Sequence, residues 1–324
     1  MFCLYACFYC CVCCCCCCCC CCVDFHAEEV YNAVRIMITC YVWMTGFGNF
    51  SFFYIKQDFG WLRVVQMMWR LNFAVLFLMW THGNTYILYY ICPLHTFYFM
   101  MVYTTMYCFS NINHTKYGIR AKLMILGILI FVVWDLNSNI FDAIFGWVLG
   151  TDKIIGAGRG SLWEYYFRTS LDHYSSFLGM IFALNFPLAE QYFQKAKGYS
   201  LLVSAVLMAA LTVYWYSNYY VMSKLDYNLH HSYWAIVPLV SYIFFRNITP
   251  QVRSGISMSM HVLGKTTLET YLLQHHIWLT SNAKTLLTIV PDHPYMNFIC
   301  ASILFYVVSK ELYGLTMSLR YSVL

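Results

Sequence analysis

The sequence is divided into apolar runs long enough to cross a bilayer as helix and nearly empty of charge. A hydrocarbon core needs about 20 predominantly apolar residues per helical span. Nine segments meet or approach that length, at 31–53, 71–92, 94–112, 123–146, 174–188, 200–220, 232–245, 267–283 and 295–314. Residues 1–22 supply a possible tenth. Only 10% of the chain is charged, against about 25% in a soluble domain, so a soluble globular enzyme is excluded. A hydrophobic fraction of 61% excludes disorder as well. The expected fold is all-α, a polytopic membrane helical bundle of nine to ten helices. It forms one domain over residues 24–324, after a Cys-rich low-complexity segment at 1–23.

That first segment holds all but four of the 18 cysteines, and Cys13 to Cys22 are uninterrupted. A zinc site or a disulfide framework needs spaced thiols. The run reads as low-complexity sequence or as a short apolar anchor, since Cys packs as a small hydrophobe. No basic region precedes it, so it does not read as a signal peptide. No metal site is expected.

Lys and Arg favour cytoplasmic loops. Placing the 54–70 loop there puts Lys56, Arg63, Arg70, Lys116, Arg120, Lys122, Lys195, Lys197, Arg246, Arg253 and Lys265 on the cytoplasmic side. The opposite side then holds fewer cations: Lys153, Arg159, Arg168, Lys224 and Lys284. The sequons at Asn49, Asn113 and Asn247 fall near the cytoplasmic side, where they stay unmodified. The cations are scattered, with no basic run, which gives no nucleic-acid footprint.

Ionisable residues at membrane depth are costly and mark functional sites by default. Four clusters qualify. Thr81-His82-Gly83-Asn84-Thr85 interrupts the second span, with His82 as its one ionisable group; the alternative is an interhelical hydrogen bond. In 163–176, Glu164, Arg168 and Asp172 share a face if helical, with His173 as a possible base and Arg159 in the glycine-rich loop before it. A plain interfacial salt-bridge ladder is the alternative. In 265–278, Glu269 and His276 lie on one stripe, two turns apart, too far for a direct bond but able to flank a substrate. The fourth, 134–142, offers Asp135, Asp142 and two amides to a hydroxyl-rich ligand, or forms a solvated helix end. On the cytoplasmic side Lys116, Arg120, Lys122, Arg246 and Arg253 form two basic loops. These attract a phosphorylated cofactor, or serve only orientation and lipid contact.

Phosphate-loop, dinucleotide-binding, nucleophile-elbow and His-Glu-x-x-His motifs are all absent from the sequence. The segments 81–96, 156–174 and 264–279 resemble the ten-transmembrane acyltransferase domain of the capsule and sialic-acid O-acetyltransferases, most of all the plant reduced-wall-acetylation proteins. The resemblance runs from about residue 30 to the C-terminus. It implies a multi-pass Golgi membrane protein of polysaccharide O-acetylation. Cytosolic acetyl-CoA would be the donor, and luminal polysaccharide hydroxyls of the cell wall would be the final acceptors. Animal and fungal relatives add a luminal Ser/Asp/His domain, and plant relatives work with separate luminal acetyltransferases. The Cys run stands where the family has its upstream region, so the chain reads as a truncated version.

On this reading His82 is a base or acetyl carrier, assisted by Glu269 or His276, with His173 a further catalytic candidate. Asn84, Arg159, Glu164, Arg168, Asp172 and Asp135 would contact the acceptor, and the two basic loops would hold the CoA phosphates. A transporter of acetyl-CoA or another acetyl donor, or a scaffold for luminal enzymes, remains open beside it, since each needs polar groups along a membrane path.

Overall fold

The computed structural model describes residues 31–136, 138–149, 154–155, 158–196, 198–255, 258–279 and 286–323. The Cys-rich segment lies outside them. The described chain is a helical bundle, relieved by one short hairpin.

Helix α1 (Tyr31–Lys56) is followed by α2 (Trp61–His82), a 3₁₀ turn (Tyr86–Tyr89) and α3 (Ile91–Tyr107). Helix α4 (Lys116–Phe131) runs into a π-helical segment (Val132–Leu136), and α5 (Ser138–Leu149) follows. Strands β1 (Ile154–Ile155) and β2 (Gly158–Arg159) pair antiparallel. Next come α6 (Ser161–Ser170), α7 (Ser175–Lys195) and α8 (Tyr199–Trp215), the last extended by a second π segment (Tyr216–Tyr220). Helices α9 (Lys224–Trp234), α10 (Ile236–Asn247), α11 (Pro250–Ser254) and α12 (Met258–Lys265) lead to α13 (Thr267–Leu273). A third π segment (Gln274–Trp278) continues α13, and α14 (Pro294–Val323) closes the described chain.

Among the described residues, four helices are long and apolar enough to cross a membrane: Tyr31–Lys56, Trp61–His82, Tyr199–Tyr220 and Pro294–Ser322. Their environments differ. In α1, 56% of the apolar window is buried inside the protein, against 6% in Tyr199–Tyr220. Helix α1 is therefore the hub, and α8 lies at the periphery.

The hub is tight because two glycines face each other's backbone. A Cβ on Gly46 would overlap the Ser176 carbonyl, and one on Gly179 would overlap the Trp43 carbonyl. Small residues at a crossing let membrane helices approach closely, and α1 packs most extensively on α7 and α3. Around this crossing Trp43, Phe47, Phe50 and Phe53 are fully buried.

Several expected boundaries are corrected. The segment read as a 54–70 loop is mostly helix: the turn shrinks to 57–60, and α2 begins at Trp61. Arg63 and Arg70 suppress the local hydropathy, yet with Met67 they stand at helical spacing on one face. The expected 71–92 span does not continue through His82. Helix α2 ends there, with Gly83 at φ 64° in the left-handed region that suits glycine. His82 is thus at a helix end and not mid-span. The expected 232–245 span divides at Ala235 into α9 and α10. The 267–283 span becomes α13 plus a π turn ending at Trp278, and residues 280–285 lie outside the described residues.

Candidate functional site

The expected site residues fall into separate places. At one, the His82 and His276 rings lie in contact, their centroids 4.3 Å apart and their planes tilted by 30°. Tyr89 from the 3₁₀ turn bonds His276 Nε2 through its hydroxyl at 2.5 Å, and Asn84 donates to the same hydroxyl at 3.3 Å. The end of α2 and the π segment after α13 build this cluster together. π segments frequently mark functional sites.

Glu269 is not part of it. Arg70 of α2 holds both carboxylate oxygens of Glu269, one of them at 3.1 Å, and Glu269 is fully buried. The expected common stripe is present, because both residues face α2. Glu269 reaches it through Arg70, and His276 through His82.

The expected ladder of Glu164, Arg168 and Asp172 is broken. Arg168 Nε lies 3.6 Å from Glu164 and its guanidinium covers Tyr90 at 4.4 Å. Helix α6 ends at Ser170, however, so Asp172 turns inward. There it accepts from Arg35 Nη2 at 2.9 Å and from Thr39 Oγ1 at 2.5 Å. His231 Nε2 stands 2.7 Å from the same Thr39 hydroxyl. Arg35, Thr39, Asp172 and His231 are all buried. Asp172 is therefore a core ion-pair partner and not a surface for substrate.

Its neighbour His173 serves a third cluster. The ring donates from Nδ1 to the Ser170 carbonyl at 2.6 Å, stacks on Trp134, and places Nε2 3.5 Å from Asp135. Tyr174 and Tyr233 donate to Asp135 at 2.5 and 2.8 Å. Asp135 thus sits in a π segment among aromatic rings, with each carboxylate oxygen accepting from a tyrosine hydroxyl. Arg159 is in β2, and its side chain lies outside the described residues.

Three of the five cations in the two basic loops are held by carbonyl or amide oxygens. Lys122 bonds the Cys108 carbonyl and, at 2.6 Å, Asn113 Oδ1. Arg246 bonds the Gly255 carbonyl, and Arg253 donates to Phe193 and Asn247 carbonyls at 3.3 and 3.1 Å. These cations tie off turns. Lys116 and Arg120 are exposed, and none of the five lines the cavity described next.

That cavity was missed by sequence reasoning. It measures about 580 Å³ and is lined by Lys56, Arg63, Arg70, Lys265 and Arg320, with no carboxylate among its described lining residues. Arg320 near the end of α14 donates to Gln66 at 3.0 Å. Arg63 lies over the Phe52 ring at 4.2 Å. Deeper along α1 the wall passes Asn49, Thr45 and Tyr41, and meets His95 of α3. Thr45 lies 11 residues from Lys56, about 16 Å by helix rise. A long, anionic ligand with a flexible arm fits this shape and charge. The one legible signal was Arg63, Met67 and Arg70 at i, i+4 and i+7. Arg320 and Lys265 come from elements far away in sequence, and no pattern in the chain ties them to α2.

Comparison with known proteins agrees with a membrane acyl transferase. No solved structure matches the chain. A curated relative, the N-acetylneuraminate (7)9-O-acetyltransferase of Danio rerio, is 32% identical over 307 residues, which is 90% of this chain. The chain spans 39% of that relative's length. Residues 26–323 match the family described as the 10 TM acyl transferase domain found in Cas1p. By that match, over nearly all its length, the chain belongs to the ten-transmembrane acyltransferase family, as the resemblance in its polar segments implied.

Proposed function

We propose that the protein takes acetyl groups from acetyl-CoA in the cavity at the Lys56 end and passes them across a Golgi membrane toward cell-wall polysaccharide hydroxyls. The observation that carries this reading is the cavity itself, with five cations and no carboxylate on its described wall. CoA is polyanionic and ends in a long thioester arm. Arg and Lys side chains suit its phosphates, and the passage along α1 suits the arm. The cavity takes over the role expected of the basic loops.

On the opposite half, His82, His276 and Tyr89 form a group in contact, with Tyr89 bonded to His276, fit to move a proton. Asp135, with Tyr174 and Tyr233, offers a carboxylate and aromatic faces to a sugar. The relative's name describes O-acetyl transfer to N-acetylneuraminate, and this chain covers only part of it. Separate luminal acetyltransferases complete the reaction on the polysaccharide.

A carrier that moves the donor intact is the second reading. The break between α2 and α3 beside the π segment after α13 favours it, since transporters place broken helices at their binding sites. Sealed vesicles given acetyl-CoA labelled separately in its acetyl and CoA parts separate the two. Acetyl label inside with CoA left outside supports transfer. Both labels inside in equal amount supports the carrier and overturns transfer.

A further inference from the structure

At the floor of the cavity two side chains from different helices meet. Thr45 of α1 stands with its hydroxyl oxygen 2.6 Å from His95 Nδ1. Both residues line the cavity, but they are not equally covered. Thr45 is part exposed, while His95 is 2% exposed and packs against Tyr41 at 4.0 Å between ring centroids. The hydroxyl is in front and the imidazole behind.

The hydroxyl has a second acceptor in reach, the Tyr41 carbonyl, but at 3.3 Å. In the tautomer that carries its proton on Nε2, His95 Nδ1 accepts from the Thr45 hydroxyl at the shorter contact. Among the described residues, His95 Nε2 meets no hydrogen-bond partner. A buried polar atom without a partner is rare in native proteins and calls for a reason. Asn49, one turn along α1, donates to the Thr45 carbonyl at 2.8 Å and fixes that stretch of wall. An accessible hydroxyl bonded to a buried base is the arrangement that activates a weak nucleophile.

We propose that Thr45 is the residue that receives the acetyl group from the thioester, with His95 as its base. This rests on the reading of the cavity as the acetyl-CoA site. Thr45 Oγ1 attacks the thioester carbonyl carbon, and its proton passes to His95 Nδ1. The new oxygen–carbon bond forms as the carbon–sulfur bond breaks. His95 then returns the proton to the departing thiolate, which leaves as CoA thiol. The protein is left as an acetyl ester at Thr45. A hydroxyl acceptor attacks that ester next, giving its proton through His95 back to the threonine oxygen. No further reactant is needed.

A covalent half-reaction has a signature that needs no acceptor: labelled free CoA exchanges into unlabelled acetyl-CoA. The full chain in lipid vesicles is given both, and bound acetyl is located by mass spectrometry. Expected are exchange by the wild type, a hydroxylamine-sensitive acetyl group on the peptide containing Thr45, and retention of both in Thr45→Ser. Thr45→Val loses both at least 100-fold while binding CoA as tightly as the wild type, which certifies its fold. His95→Gln slows exchange at least 100-fold and flattens its pH profile. Wild-type exchange that survives in Thr45→Val, or acetyl found on another residue, overturns the Thr45 assignment and leaves the donor site standing. If the wild type moves acetyl label into vesicles without exchange, the covalent step is overturned alone. If it neither exchanges nor moves acetyl, the proposed function falls with it.

Discussion

The two ends of the bundle treat charge in opposite ways. At the Lys56 end, Lys56, Arg63, Arg70, Lys265 and Arg320 converge on an open cavity with no carboxylate on its described wall. At the other end, Arg35 and Asp172 are sealed in the core, with Thr39 and His231 completing the hydrogen bonds. Cations gathered on one wall with no carboxylate among its described residues favour an anion in the space they line. Charge matched and buried holds helices together. Arg70 belongs to both regimes, since it lines the cavity while it also neutralises buried Glu269.

The sharpest break in this contrast comes from Asp172→Ala. It leaves Arg35 buried without its carboxylate, and breaking a buried pair costs about 3–5 kcal/mol. The melting temperature of the purified protein should fall steeply, whereas Arg320→Ala at the cavity should melt near the wild type. Equal melting for both variants would erase the distinction. A companion pair tests Arg70: Arg70→Ala should destabilise more than Arg70→Ala with Glu269→Gln, because only the single variant strands a buried carboxylate.

Next in size is His82→Ala. Loss of a general base typically costs about 100-fold or more in rate. Acetyl transfer to polysaccharide should fall by that order, with acetyl-CoA affinity unchanged. Transfer at the wild-type rate would remove His82 from the chemistry.

Much of this contrast was hidden in the sequence, for a physical reason. Apolar runs reveal a helix whether it packs in the protein or faces lipid, so the buried Tyr31–Lys56 and the peripheral 200–220 segment were both legible in outline. A helix that lines an aqueous cavity carries polar groups on that face and reads as a loop. Residues 61–70 were lost in that way. The polar clusters around His82, Glu269 and His276 stood out because each interrupts an apolar run. Their partners did not. Arg70 for Glu269, Tyr89 for His276 and Arg35 for Asp172 are tertiary contacts across large sequence separations. The end of α6 at Ser170 turned Asp172 away from a ladder that spacing alone supported.

Smaller effects are expected at the cavity rim. Hydrogen bonds to charged groups contribute about 1.5–3 kcal/mol, and at the lower end of that range, suited to a rim, Arg63→Ala or Arg320→Ala should each weaken acetyl-CoA binding about tenfold. Calorimetry should also show affinity falling as salt rises. The smallest effect is expected for Lys116→Ala with Arg120→Ala, which should change donor affinity less than about twofold, because exposed charges away from a site contribute little.

Photocrosslinking with a photoreactive acetyl-CoA analogue, followed by peptide mapping, tests the central claim most directly. The account predicts labelling within 56–70 and near Arg320, abolished by excess acetyl-CoA. Labelling concentrated at 116–122 and 246–253 instead would contradict it and return the donor to the basic loops.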